Sequence, residues 1–159
     1  MPVSNLQFVA DMERIAEATE AKIRAVFRMS VQDVIEVMQE VGPSKTNPAS
    51  TGTGRMPVDT GFLRASLKVQ LNADPPPANV ANPNPDGRYS FNPAAATLVI
   101  NQAEIGDRVT AGFTANYARA VEMGTSKTPP YGFVRYAAAQ WQAIVRKNAS
   151  RISSQSGAY

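Results

Sequence analysis

The stretch TLVINQAEIGDRVTAGF, residues 97–113, decides whether this chain has a sheet at all. Its β-branched and aromatic residues fall into two groups, Leu98–Asn101 and Arg108–Phe113, with Gly106-Asp107 between them as a turn. Such groups fit a pleated, half-buried surface and predict a strand pair. Upstream, KVQL (68–71) alternates apolar and polar residues and predicts a third strand. Residues 72–97 hold Pro75, Pro76, Pro77, Pro83, Pro85 and Pro93 among several asparagines. Proline supplies no N–H and clashes within a helix, so this segment is expected to be a projecting loop or arm.

Helices are expected on either side of the strands. From residue 4 to 42, Leu6, Val9, Met12, Ile15, Ala16, Thr19, Ile23, Val26, Phe27, Ser30, Val34, Met38 and Val41 recur mostly three or four apart. That spacing draws an apolar stripe down one face of a helix. Ser4 and Gln7 have the form of a capping box at its start, and Gly42-Pro43 ends it. An unbroken helix of this length would reach roughly 55 Å. A compact domain of this size has a radius of gyration of about 15 Å. The helix is therefore expected either to break near Met29-Ser30 or to pack partly on another subunit. Residues 43–57, PSKTNPASTGTGRMP, are expected to be a flexible linker. Within 58–71, Asp59 or Thr60 can cap a short helix carrying Leu63 and Leu67 on one face, followed by the KVQL strand. Residues 115–123 predict a short helix or turn ended by Gly124. A second amphipathic helix is predicted from Phe133 to about Ile152, with Phe133, Val134, Ala137, Trp141, Ile144, Val145 and Ala149 inward. Residues 153–159 are expected to be a frayed tail. The expected fold is α+β: a single domain with a small antiparallel sheet packed against a long N-terminal helix and a C-terminal helix, plus an extended Pro/Asn-rich loop.

Composition removes several kinds of chemistry. The 159 residues include neither cysteine nor histidine, which excludes disulfides, zinc sites of sulfur or imidazole, and triads with an imidazole base. No apolar run approaches the roughly 20 residues of a membrane span, and the N-terminus lacks a signal-peptide layout. A soluble protein made in the cytoplasm is expected. Charge is uneven. Residues 4–41 carry seven acids and four bases, whereas beyond Glu122 there is no acid and Lys127, Arg135, Arg146, Lys147 and Arg151 supply five positive charges. A basic tail can bind nucleic acid, although no stacking aromatics interleave these bases. It can equally dock on the acidic segment of a neighbouring copy.

Candidate catalytic patterns are thin. TGTGR (51–55) suggests a phosphate loop but lacks the Gly-Lys-Ser/Thr ending and a preceding strand. Asp59-Thr60-Gly61 matches the aspartic-protease triplet, which occurs once here and would need a homodimer to pair two carboxylates. A linker rather than an apolar strand leads into it, and a helix cap explains the same residues. Ser126-Lys127 lies on a Pro-rich connector, poorly suited to hold a nucleophile against a base. Glu122 has no second carboxylate after it to form an acid–base pair. Beside the Gly124 turn, it is instead expected to accept hydrogen bonds from nearby backbone or from an arginine such as Arg135 or Arg64.

Two blocks, PVDTGFLRASL (57–67) and NYARAVEMGTSKTPPYGFVRYAAAQW (116–141), together resemble the phage head–tail joining and tail-component family typified by the gene-10 product of a lambda-like siphophage. In that family a VDTG-x-L-R-x-S block and a Y-A-x-x-V-E-x-G-T … P-x-F-x-R-x-A block flank a strand pair. Asp59, Thr60, Gly61, Leu63, Arg64 and Ser66 fall on the first block. Tyr117, Ala118, Val121, Glu122, Gly124, Thr125, Pro130, Phe133, Arg135 and Ala137 fall on the second, and Tyr136 stands where family members usually carry proline. The resemblance implies a structural virion protein, located at the neck or capping the tail tube as a completion or terminator protein. It implies a ring, hexameric in the family, that meets a connector or stopper protein and the tail-tube protein. Phage DNA would pass through without sequence-specific binding. No catalysis, cofactor, metal or membrane is implied. Lys127, Arg146, Lys147 and Arg151 are the expected lumen or subunit contacts.

Overall fold

The computed structural model describes residues 5–156. Helix α1 (Asn5–Gln39) runs unbroken for 35 residues, about 52 Å of length. The expected break near Met29-Ser30 does not occur, and Ser4 of the expected capping box lies outside the described residues. Helix α1 is two different objects along its length. From Leu6 to Ile23 every residue except Asp11 is exposed, whereas from Arg24 onward the helix lies against the body. There it packs on α3 (Pro93–Gln102), α5 (Phe133–Ala139) and α6 (Trp141–Ser156).

The sheet is an antiparallel pair of β3 (Leu67–Leu71) and β4 (Val109–Phe113), with Leu67 opposite Phe113 and Leu71 opposite Val109. The architecture is mixed α+β, with a long N-terminal helix, a small antiparallel sheet and a C-terminal helix. The core gathers Ile35 and Met38 of α1, Met56, Leu63, Leu67, Ile100, Phe113 and Phe133. Phe113 and Phe133 meet edge to face, 5.2 Å between ring centres, joining the sheet to α5.

Several elements depart from the sequence reading. Leu98–Asn101 is not a strand but part of α3. Asn92 caps that helix by accepting the Ala94 N–H at 3.0 Å, and Pro93 occupies the first turn, where its missing N–H costs nothing. Ile100, 1% exposed, seals α3 into the core. Gly106-Asp107 therefore turns from a helix into β4 rather than joining two strands.

The stretch from residue 72 does not project. Val80 bridges Ala115 in parallel, and the Tyr89 N–H donates to the Thr60 carbonyl at 2.8 Å. Phe62 packs edge to face on Tyr89. The prolines keep this segment out of regular structure without keeping it off the body.

The 43–57 segment is likewise anchored at both ends. Val41–Gly42 (β1) pairs in parallel with Met56–Pro57 (β2). The buried Ser50 hydroxyl donates to the Gly42 carbonyl at 2.8 Å and accepts the Val58 N–H at 2.9 Å. Gly42 and Gly54 are required here: a Cβ on either would lie 2.0 Å from a backbone carbonyl oxygen.

The second amphipathic helix is divided at Gln140 into α5 and α6. Helix α6 continues to Ser156, beyond the expected start of a tail at 153, and residues 157–159 lie outside the described residues. Trp141, expected inward, is 37% exposed and borders a surface groove.

Candidate functional site

The two motif blocks, separated by 48 residues of sequence, come together around one cleft of about 380 Å³. Asp59, Thr60, Gly61 and Leu63 contribute one wall, and Tyr117, Val121 and Tyr131 the other. The contact is aromatic, with the Phe62 and Tyr117 rings 6.3 Å apart. Asp59 is the only carboxylate lining the cleft among the described residues. Burial first, and then the nearby Asp59 charge, push the Tyr117 hydroxyl above its ordinary value.

Neither Asp59 nor Thr60 is the N-cap of the short helix α2 (Phe62–Ala65). That position belongs to Gly61, whose φ of 86° is left-handed and whose missing Cβ leaves room for the Tyr89 carbonyl. Thr60 still serves the turn, its hydroxyl accepting the Phe62 N–H at 3.2 Å. Leu63 and Leu67 are both buried. Ser66 turns its hydroxyl back to the Leu63 carbonyl at 2.7 Å, while its own carbonyl accepts the Thr114 N–H and hydroxyl. Arg64 does not reach Glu122. Its Nε donates to Gln39 Oε1 at 3.2 Å, and Gln39 Nε2 donates back to the Arg64 carbonyl at 3.2 Å. Gln39 is 4% exposed, so this reciprocal pair clamps the end of α1 onto α2. Burial lowers the Arg64 guanidinium below its ordinary value.

The second block folds around Glu122. Helix α4 (Ala118–Met123) ends at Gly124, with φ 79°, and the chain turns back through Thr125–Tyr131. Thr125 accepts the N–H groups of Lys127 and Thr128 on its hydroxyl, and its own N–H donates to the Thr128 carbonyl. The N–H groups of Tyr131 and Gly132 then donate to the Val121 and Glu122 carbonyls. This brings the start of α5 under the Glu122 carboxylate, which accepts the N–H groups of Val134 at 2.9 Å and Arg135 at 3.1 Å. A carboxylate at a helix start satisfies N–H groups that have no partner within the helix and complements the helix dipole. Arg135 Nε adds a charge-assisted bond at 3.0 Å, and its Nη2 reaches the Glu122 carbonyl at 2.9 Å. Tyr136 stacks under the Arg55 guanidinium, 4.4 Å from its ring centre.

The basic C-terminal residues divide. The Lys147 side chain, 65% exposed, pairs through its Nζ with Asp33 of the same chain at 2.9 Å. Beside it Asn148, fully buried, donates to Ser30 Oγ at 3.2 Å and Asp33 Oδ2 at 3.1 Å. Sequence reasoning placed Ser30 on the apolar stripe of α1 without its partner, and missed Asn148, Gln39 and Ser50. A lone polar residue on an apolar stripe signals burial only once its partner is known. Arg146, Arg151 and Lys127 are exposed. No group of His, Cys, Asp and Glu able to hold a metal occurs among the described residues, and no described helix is long and apolar enough to cross a membrane. Compared with family models, curated proteins and solved structures, the chain matches none.

Proposed function

We propose that the chain is a structural virion protein of a tailed phage, a ring-forming subunit at the neck or at the top of the tail. One observation carries the reading. Eighteen residues of α1, about 27 Å of helix, stand beyond the body with Leu6 83% exposed and Val9, Met12, Ile15 and Ile23 all at 50% or more. Bare apolar helix faces mark interaction surfaces, because their burial is worth about 25 cal/mol per Å² once a partner arrives. The resemblance of the two motif blocks supplies the class of assembly, and their convergence on one compact unit is what a shared family core requires. The work of such a subunit is geometric. Copies related by rotation close a ring when each gives one surface and receives another.

Electron microscopy of tailed particles carrying a labelled copy of the chain tests this. Label confined to a ring at the head–tail junction or tail-tube end supports it; particles complete without the chain reject it.

A further inference from the structure

Resting on that reading, we infer that the exposed half of α1 is an arm that seats in an apolar groove on the body of the neighbouring copy. The groove lies between the packed half of α1, strand β4 and the start of α6. It is lined by Phe27, Val31, Val34, Val109, Ala111 and Trp141, with a volume of about 450 Å³. A smaller recess with Ile23 and Ile105 extends it toward the arm's own root. Each copy therefore carries one bare apolar helix face and one apolar groove. The two differ in shape and belong to different parts of the molecule, as a head-to-tail contact requires.

Charge selects the groove over a second arm. Residues 5–22 hold four acids (Asp11, Glu13, Glu17, Glu20) against Arg14 and Lys22, whereas the rest of the chain holds nine acids against fourteen bases. Two arms side by side would set like net charges together, while an arm on a body sets negative against positive. The groove rim carries Asp107, whose carboxylate is taken up by the Asn72 amide and the Glu104 N–H, and Arg108, whose side chain is 62% exposed and pairs at the surface with Asp74. The apolar spacing agrees. Val9, Met12, Ala16, Thr19 and Ile23 recur at alternating three and four residues, the seam of a helix that packs lengthwise against a partner. That seam continues into Ser30 and Val34, where the same face already packs within its own chain.

Because the chain has no cysteine, two single-cysteine variants report this contact without background. Met12→Cys marks the arm and Ala111→Cys marks the groove; both positions are exposed, so neither substitution disturbs the core. Mixed and oxidised, they are expected to yield a disulfide between the two different variants, well in excess of either variant's self-linked product. Self-linking of Met12→Cys in preference to the mixed pair would mean that arm meets arm, and overturns the inference. So does a mixture without cross-links under conditions where the parent sediments as an oligomer, or a parent that sediments as a monomer at every concentration. Imaging separates this from the wider reading. A labelled ring on particles without the mixed cross-link leaves the virion role standing and removes the arm-in-groove contact. A mixed cross-link with no incorporation into particles does the reverse.

Discussion

Arg135 closes on Glu122 at three points: its backbone N–H and its Nε both reach Oε1, and its Nη2 reaches the Glu122 carbonyl. The two residues differ in exposure. The Glu122 side chain is 12% exposed and that of Arg135 56%. Removing the acid therefore leaves backbone N–H groups at the start of α5 without their partner, whereas removing the base opens a half-solvated pair. Glu122→Ala is expected to lower stability by about 2 kcal/mol, and Arg135→Ala by about 1 kcal/mol or less. Urea unfolding of both variants checks the order. Glu122→Gln melting like the parent would mean that the carboxylate charge contributes nothing at this helix start.

Asn148 and Ser30 couple α6 to α1 in a fully buried contact. Asn148→Ala is expected to cost about 2 kcal/mol, through the lost hydrogen bonds and the space left behind. Ser30→Ala made on that background should add less than it does alone, because the partner has already gone. A double-mutant cycle by chemical denaturation measures the coupling.

Stability should fall in acid through two carboxyls. Burial alone would raise the Asp33 carboxyl. Hydrogen bonds from Lys147 and Asn148, with the charges of Lys147 and Arg151, outweigh that and bring it below its ordinary 3.8. Asp107 is lowered by hydrogen bonds from the Asn72 amide and the Glu104 N–H. A carboxyl lowered by folding binds its proton more tightly in the unfolded chain. Its contribution is therefore present above the ordinary value and is lost as pH falls through the folded one. The melting temperature is expected to decline below about pH 4, and Asp33→Asn to flatten that decline. Melting curves across acid pH, with and without the substitution, decide it.

Gly124 is needed for its backbone. Its φ of 79° suits glycine, and a Cβ would lie 2.7 Å from the Pro130 nitrogen and 2.9 Å from the Thr128 carbonyl oxygen. Gly124→Ala is expected to destabilise by about 2 kcal/mol, read as a shift in the denaturation midpoint. Gly106→Ala provides the comparison, since that glycine also has positive φ but no atom within 4 Å of its added methyl. It should cost about 1 kcal/mol.

Much of this was legible in local residue order, and what was not depended on distant partners. The three-and-four spacing of α1 suffices to place the helix, because periodicity is a property of one segment. Glu122 was legible as a hydrogen-bond acceptor because an acid beside a glycine turn and ahead of a Phe-Val-Arg helix start has its donors close in sequence. The 93–102 helix was not legible. Its Leu-Val-Ile run suits a strand as well as a helix, and Pro93 reads as a breaker unless Asn92 is seen as the cap. Nor was the docking of 72–92, whose anchors at Thr60, Phe62 and Ala115 lie far away along the chain. The pairing of Lys147 with Asp33 was hidden for the same reason, since opposite charges at the two ends of a chain suit an internal contact as well as an external one.

Cryo-electron microscopy of the assembled chain tests the central claim most directly. Closed rings are predicted, each α1 reaching out over its neighbour with residues 6–23 covered by the adjacent body. Single copies at every concentration, absent from any particle and with that helix face still bare, would contradict it.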